Sequence, residues 1–195
     1  VGSLKRWHGT AILIEALALV EVGLPEVRRE MDTLGLQVVP VGYDTELHFS
    51  ASYLENVGTA YLSLHQNVLR MAEALVHEFQ HNKLNLARNL DAVLTNGFQS
   101  LHRSPVRPDP RPLMVVLLAV HAFVPVAQMY LNLRAAGHAQ AAGGGFDERL
   151  EKIVAGNGEG LAVVRRSAEP SALGGQLIGE LSALQASQQK QVRAL

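Results

Sequence analysis

The chain has 195 residues, 48% of them hydrophobic but only 5% aromatic, which suffices for one well-packed domain, or one domain with a small appendage, built on Leu, Val and Ala. A net charge of -1 gives no electrostatic basis for nucleic acid or an anionic membrane as partner. The absence of cysteine excludes disulfides, thiolate nucleophiles and cysteine-based zinc sites, and fits a cytoplasmic protein.

Residues 4–34 predict a helix broken near Gly23 and Pro25, with Pro25 in the first turn of a second, short helix that ends near Leu34. LQVVPV, LHFSAS and TAYLSL are short β-branched or aromatic runs, separated by Gly42, Asp44, Asn56 and Gly58, and predict two or three strands. From His65 to about Val93 the period changes. Val68, Leu69, Ala72, Leu75, Val76 and Phe79 fall three and four apart with no Gly or Pro between them, which predicts a helix.

Residues 95–112 carry four of the eight prolines and cannot be a helix interior. LMVVLLAVHAFVPVAQMYLNLR (113–134) resumes as a helix close to membrane-span length. Its His121, Pro125 and Gln128, with no second such segment, favour a buried core helix over a membrane span. A Gly- and Ala-rich hinge over 135–146 precedes helical stretches near 146–155, 159–168 and 171–193, the last losing its apolar face in LQASQQKQVRAL. The expected organisation is a core domain over 1–134 and a C-terminal helical appendage over 135–195.

The segment HEFQH places His77 and His81 four residues apart, hence on one face of the predicted helix, close enough for two imidazoles to share one ion. Glu78 points about 100° further round, the usual place for a carboxylate beside the metal. LVHEF (75–79) with Leu84 and Leu86 leaves little room for a broad solvated face that would explain the histidines otherwise. The expected fold is therefore α+β and mostly helical, with a small sheet of two or three short strands packed on a buried metal-binding helix.

Two histidines leave the coordination sphere incomplete. The extended H-E-x-x-H-x-x-G-x-x-H form is absent, and no Glu follows Glu78 until Glu148. Candidates for a third ligand are His65, His102, His121 and a downstream carboxylate. His121 leads, because an imidazole inside LLAVHAFV is costly to bury without a partner, and Pro125 frees the carbonyl of residue 121. His102, on the proline-rich loop, is second.

LVHEFQHNKLN followed about thirty residues later by SPVRPDPRPLMVVLLAVHAF resembles the HExxH-motif peptide-modification proteins of ribosomal-peptide (RiPP) biosynthesis, over roughly residues 58–133. The resemblance implies an iron(II)- and 2-oxoglutarate-dependent dioxygenase that hydroxylates the β-carbon of precursor-peptide residues. It implies the precursor peptide as substrate and a radical SAM or other maturation enzyme as partner. His77 and His81 match the family's two metal positions, and Asp109, Pro110, Arg111 and Pro112 match its D-P-R-P. The chain departs from the family in lacking aromatic residues ahead of D-P-R-P, and His121 is offset from where some relatives place a ligand.

A 2-oxoglutarate site needs a cation for the distal carboxylate, and arginine's fork binds carboxylates bidentately. Arg111, then Arg107, are the candidates, on a loop stiffened by Pro105, Pro108, Pro110 and Pro112. The alternative chemistry is a zinc hydrolase with Glu78 as the catalytic general base for water. A third expectation is a non-catalytic module that binds peptide for a larger maturase.

Overall fold

The computed structural model describes residues 2–43, 49–105 and 108–195. The chain is α+β and mostly helical, with six α-helices, one three-stranded sheet and one two-stranded hairpin among the described residues. It forms two compact units, Val1–Lys83 and Leu84–Leu195.

In the first unit, α1 (Gly2–Gly23) gives way to α2 (Pro25–Leu34) where Pro25 takes the first turn of the new helix. Gly35, at φ 65°, closes α2 in the left-handed region that costs glycine least. Three strands follow: β1 (Gln37–Tyr43), β2 (Ser50–Ala51) and β3 (Thr59–Leu64). β3 is the middle strand, parallel to β1 and antiparallel to β2. Its central place explains TAYLSL: five of its six residues are buried, so the run is nearly continuous in apolar character rather than alternating. Pro40, which has no N–H to give a ladder, sits on the edge strand β1, next to a register shift between Pro40 and Gly42.

The helix α3 (Val68–Arg88) begins in the first unit and ends in the second. From Met71 to Asn85 it is buried apart from four partly exposed positions, Glu73, His77, His81 and Lys83. Three of these recur every fourth residue, so they trace one line along the helix.

The second unit contains the hairpin β4 (Leu101–His102) with β5 (Arg111–Pro112), then α4 (Leu113–Ala135), α5 (Phe146–Ser167) and α6 (Ala172–Arg193). α4 is long and apolar enough to cross a membrane by length and composition, yet 67% of its apolar window is buried. Leu113, Met114, Val116, Leu117, Val120 and Val124 place it at the centre of this unit's core, with Leu161 and Val164 of α5 and Leu181 of α6. It runs unbroken through Pro125.

α5 is one helix where two stretches are expected. Its interior glycines answer close contacts: a Cβ at Gly160 would lie 2.5 Å from Val120 Cγ2, and one at Gly158 would lie 2.8 Å from Gln189 Nε2. The polar end of α6 is mostly exposed, but two of its glutamines turn inward. Gln185 and Gln188 are buried, Gln185 Nε2 donating to Val154 O (2.6 Å) and Gln188 Nε2 to Val124 O (3.0 Å).

A clasp ties the loop after α3 to the start of α6. Asp91 Oδ1 accepts from Val93 N–H (2.6 Å) and from the Ser171 hydroxyl (2.5 Å), and Ser171 Oγ caps α6 by accepting from Gly174 N–H (3.0 Å). Two charge-assisted bonds on one oxygen hold the Asp91 carboxyl below the usual carboxylate range.

Candidate metal centre

The residues that set the site's position are the neighbours of the histidines. Asn82, one turn after Glu78, is buried and makes three hydrogen bonds: Oδ1 accepts from Gly58 N–H (2.6 Å), and Nδ2 donates to Thr59 O (3.1 Å) and Glu78 O (2.9 Å). It thus pins the start of β3 to α3. Glu78, 2% exposed, accepts from the Ser52 hydroxyl (2.7 Å), with Ser50 as a second hydroxyl partner, so it pins the end of β2 to the same helix face. With the 78/82 face locked on the sheet, the adjacent 77/81 face is fixed in rotation about the helix axis.

On that face, Nε2 of His77 and Nε2 of His81 lie 2.8 Å apart, with ring centroids 4.3 Å apart and planes at 89°. Two nitrogens each about 2.1 Å from one ion and 90° apart would be separated by about 3.0 Å, so the pair has the spacing that two cis ligands need. Burial lowers the His81 pKa to about 4, which keeps the ring neutral near pH 7, and at 2.8 Å one Nε2–H of the pair donates to the other ring's Nε2. Among the described residues, His81 Nδ1 is buried without a hydrogen-bond partner. The donor pair fits a divalent metal that accepts imidazole, such as iron(II) or zinc.

Glu78 is held away from its ordinary protonation behaviour as well. Burial raises its pKa, and the hydrogen bonds from Ser50 and Ser52 offset part of that rise. The carboxylate is therefore committed to the sheet through at least one of its oxygens.

Among the described residues, no group of three or more His, Asp or Glu side chains is placed to hold a metal ion. His65 is buried at the approach to α3, with Asn67 N–H donating to Nδ1 (2.9 Å) and Arg70 Nη1 lying 3.3 Å from Nε2. Both of its nitrogens are engaged. His121 is buried in α4, in the second unit.

The hairpin brings two other expected residues together, since His102 and Arg111 are cross-strand partners. His102 Nε2 lies 2.9 Å from Ser100 Oγ. Arg111 Nη2 pairs with Asp109 Oδ2 at 2.7 Å, while among the described residues Arg111 Nε is buried with no hydrogen-bond partner. Arg107, the second arginine expected to bind cosubstrate, lies outside the described residues.

Ser52 and Asn82 are the positioning residues that the sequence reading missed. Asn82 carried a signal, being four residues after Glu78 and so on its face. Ser52 carried none, because its partner is 26 positions away. No protein-family model matches the chain, and no curated protein matches it.

Proposed function

We propose that the chain is a metal-dependent peptide-modifying enzyme, an iron(II)- and 2-oxoglutarate-dependent hydroxylase acting in the cytoplasm on the β-carbon of residues in a ribosomally made peptide. The observation that carries the reading is the His77/His81 pair: two imidazole nitrogens 2.8 Å apart on the one partly exposed line of a buried helix. When bound, iron(II) with 2-oxoglutarate and dioxygen supplies the oxidation that replaces a peptide Cβ–H by Cβ–OH, the cosubstrate leaving as succinate and carbon dioxide.

The chain's own part is positioning. His77 and His81 offer two ring nitrogens, and Asn82 and Glu78 fix their direction through the sheet. Glu78 has no proton to move in this reaction, which accords with its engagement by Ser52. His121 as third ligand and Arg111 as the clamp for the distal carboxylate of 2-oxoglutarate rest on residue type and on the family resemblance, and the clamp is tested by the Arg111→Lys variant. A radical SAM or other maturation enzyme is the proposed partner.

A zinc hydrolase is the second reading, favoured by one observation. Burial raises the Glu78 pKa, the direction that brings a carboxylate nearer to service as a general base. The two are separated by loading the protein anaerobically with iron(II) or with zinc. The oxygenase reading expects succinate from 2-oxoglutarate with iron, and no peptide-bond cleavage with zinc. Peptide hydrolysis by the zinc form without succinate from the iron form would reverse the order.

A further inference from the structure

Within the second unit, a cleft of about 200 Å³ opens between α4 and α5 beside Pro105. Val120, Phe123 and Ile153 supply apolar wall, while Arg149 and Lys152 bring two cationic side chains to the same space. The Arg149 guanidinium lies 5.8 Å from the Phe123 ring centroid, a cation–π distance that holds the charge beside the apolar wall. Asn157 also lines the cleft. It is 3% exposed.

Gly156 adds an independent observation. Glycine in a helix interior is less favourable than alanine, and α5 carries three. Close packing accounts for Gly158 and Gly160, but a Cβ at Gly156 would meet nothing nearer than Pro105 Cβ at 3.9 Å, an ordinary contact. What the missing side chain does at this position is leave the cleft open.

The geometry points to a binding site for a small monocarboxylate with an apolar body, its carboxylate set by Arg149 and Lys152 and its body against Val120, Phe123 and Ile153. A cavity of about 150 Å³ holds benzene, so this one takes about eight to ten non-hydrogen atoms. The two cations select an anion over a neutral or cationic analogue of the same length. The site is separate in kind from the His77/His81 pair and does not depend on the reaction assigned to it.

The test uses the full chain and three probes of one length: hexanoate, hexan-1-ol and hexylamine, titrated by ligand-observed NMR. Hexanoate is expected to bind with a Kd of about 1 mM or tighter, at least about fivefold better than hexan-1-ol, with hexylamine weakest. Gly156→Leu fills the cleft with a better helix former and should weaken hexanoate at least tenfold, about 1.4 kcal/mol. Gly156→Ala, whose Cβ makes only an ordinary contact, keeps the fold should the leucine not, and should weaken binding a few-fold. The double change Arg149→Gln with Lys152→Gln should bring hexanoate down to the level of hexan-1-ol. Hexanoate binding no better than hexan-1-ol in the wild type, or wild-type affinity in the folded Gly156 variants or in the double variant, overturns the assignment.

Discussion

Replacing Asn82 with alanine tests whether the 78/82 face of α3 sets the geometry of the histidines. The substitution removes one acceptor and two donated bonds at once. Glu78 O still has its helical donor, but Gly58 N–H and Thr59 O lose their partner at the start of the central strand. An orphaned buried backbone group costs about 1–3 kcal/mol, and Gly58 is only partly buried, so the loss should be about 3 kcal/mol in all. For a chain of this size that lowers Tm by about 6–12 °C. Asn82→Asp should cost at least as much at neutral pH, because a carboxylate oxygen would then face the Thr59 and Glu78 carbonyls at the present donor distances of 3.1 and 2.9 Å. Urea and thermal melts followed by circular dichroism read the loss, and amide exchange at Gly58 reads its site. An Asn82→Ala variant within about 0.5 kcal/mol of the wild type, with Gly58 still protected, would refute the reasoning.

Asp91 makes stability pH-dependent at the other end of the chain. Its folded pKa lies below the unfolded value, so its contribution is present above the ordinary aspartate range and is lost as pH falls through the lowered folded value. Ser171→Ala should flatten that acid limb in melts taken across pH; an unchanged limb rejects the clasp as its source. Glu78→Gln should keep metal and much of the succinate-forming activity, since no water needs deprotonating, whereas a hydrolase would lose about 10²-fold or more. Arg111→Lys keeps the charge but loses the fork and should weaken 2-oxoglutarate in calorimetric titrations more than it weakens metal; equal affinity for 2-oxoglutarate in both proteins removes the clamp assignment.

Local signals in the sequence carried far. The break at Gly23 and Pro25, the strand TAYLSL and the uninterrupted period through Phe79 are each dictated within a few residues, and the structure has α1, α2, β3 and α3 there. What escaped notice depends on distant partners. The gap expected between 155 and 159 holds Gly156 and Gly158, yet α5 continues through both. LQASQQKQVRAL reads as losing the helix's apolar face, yet the Gln185 and Gln188 amides bond carbonyls of α5 and α4.

The proline-rich segment hid a hairpin, since Leu101 and His102 pair with Pro112 and Arg111 across the loop. At the site the same division holds. The His77/His81 pairing follows from helix geometry alone, whereas the anchoring of Glu78 by Ser52 depends on a strand 26 residues upstream.

The most direct measurement is anaerobic calorimetric titration of iron(II) into the wild type and His81→Ala. Removing one of two nitrogens that lie 2.8 Å apart breaks the chelate while leaving Asn82, Glu78 and the sheet contacts in place. One equivalent bound by the wild type, and none by a variant that melts as the wild type does, is the expected result. Equal stoichiometry and affinity in the two proteins would contradict the metal centre, and with it the proposed reaction.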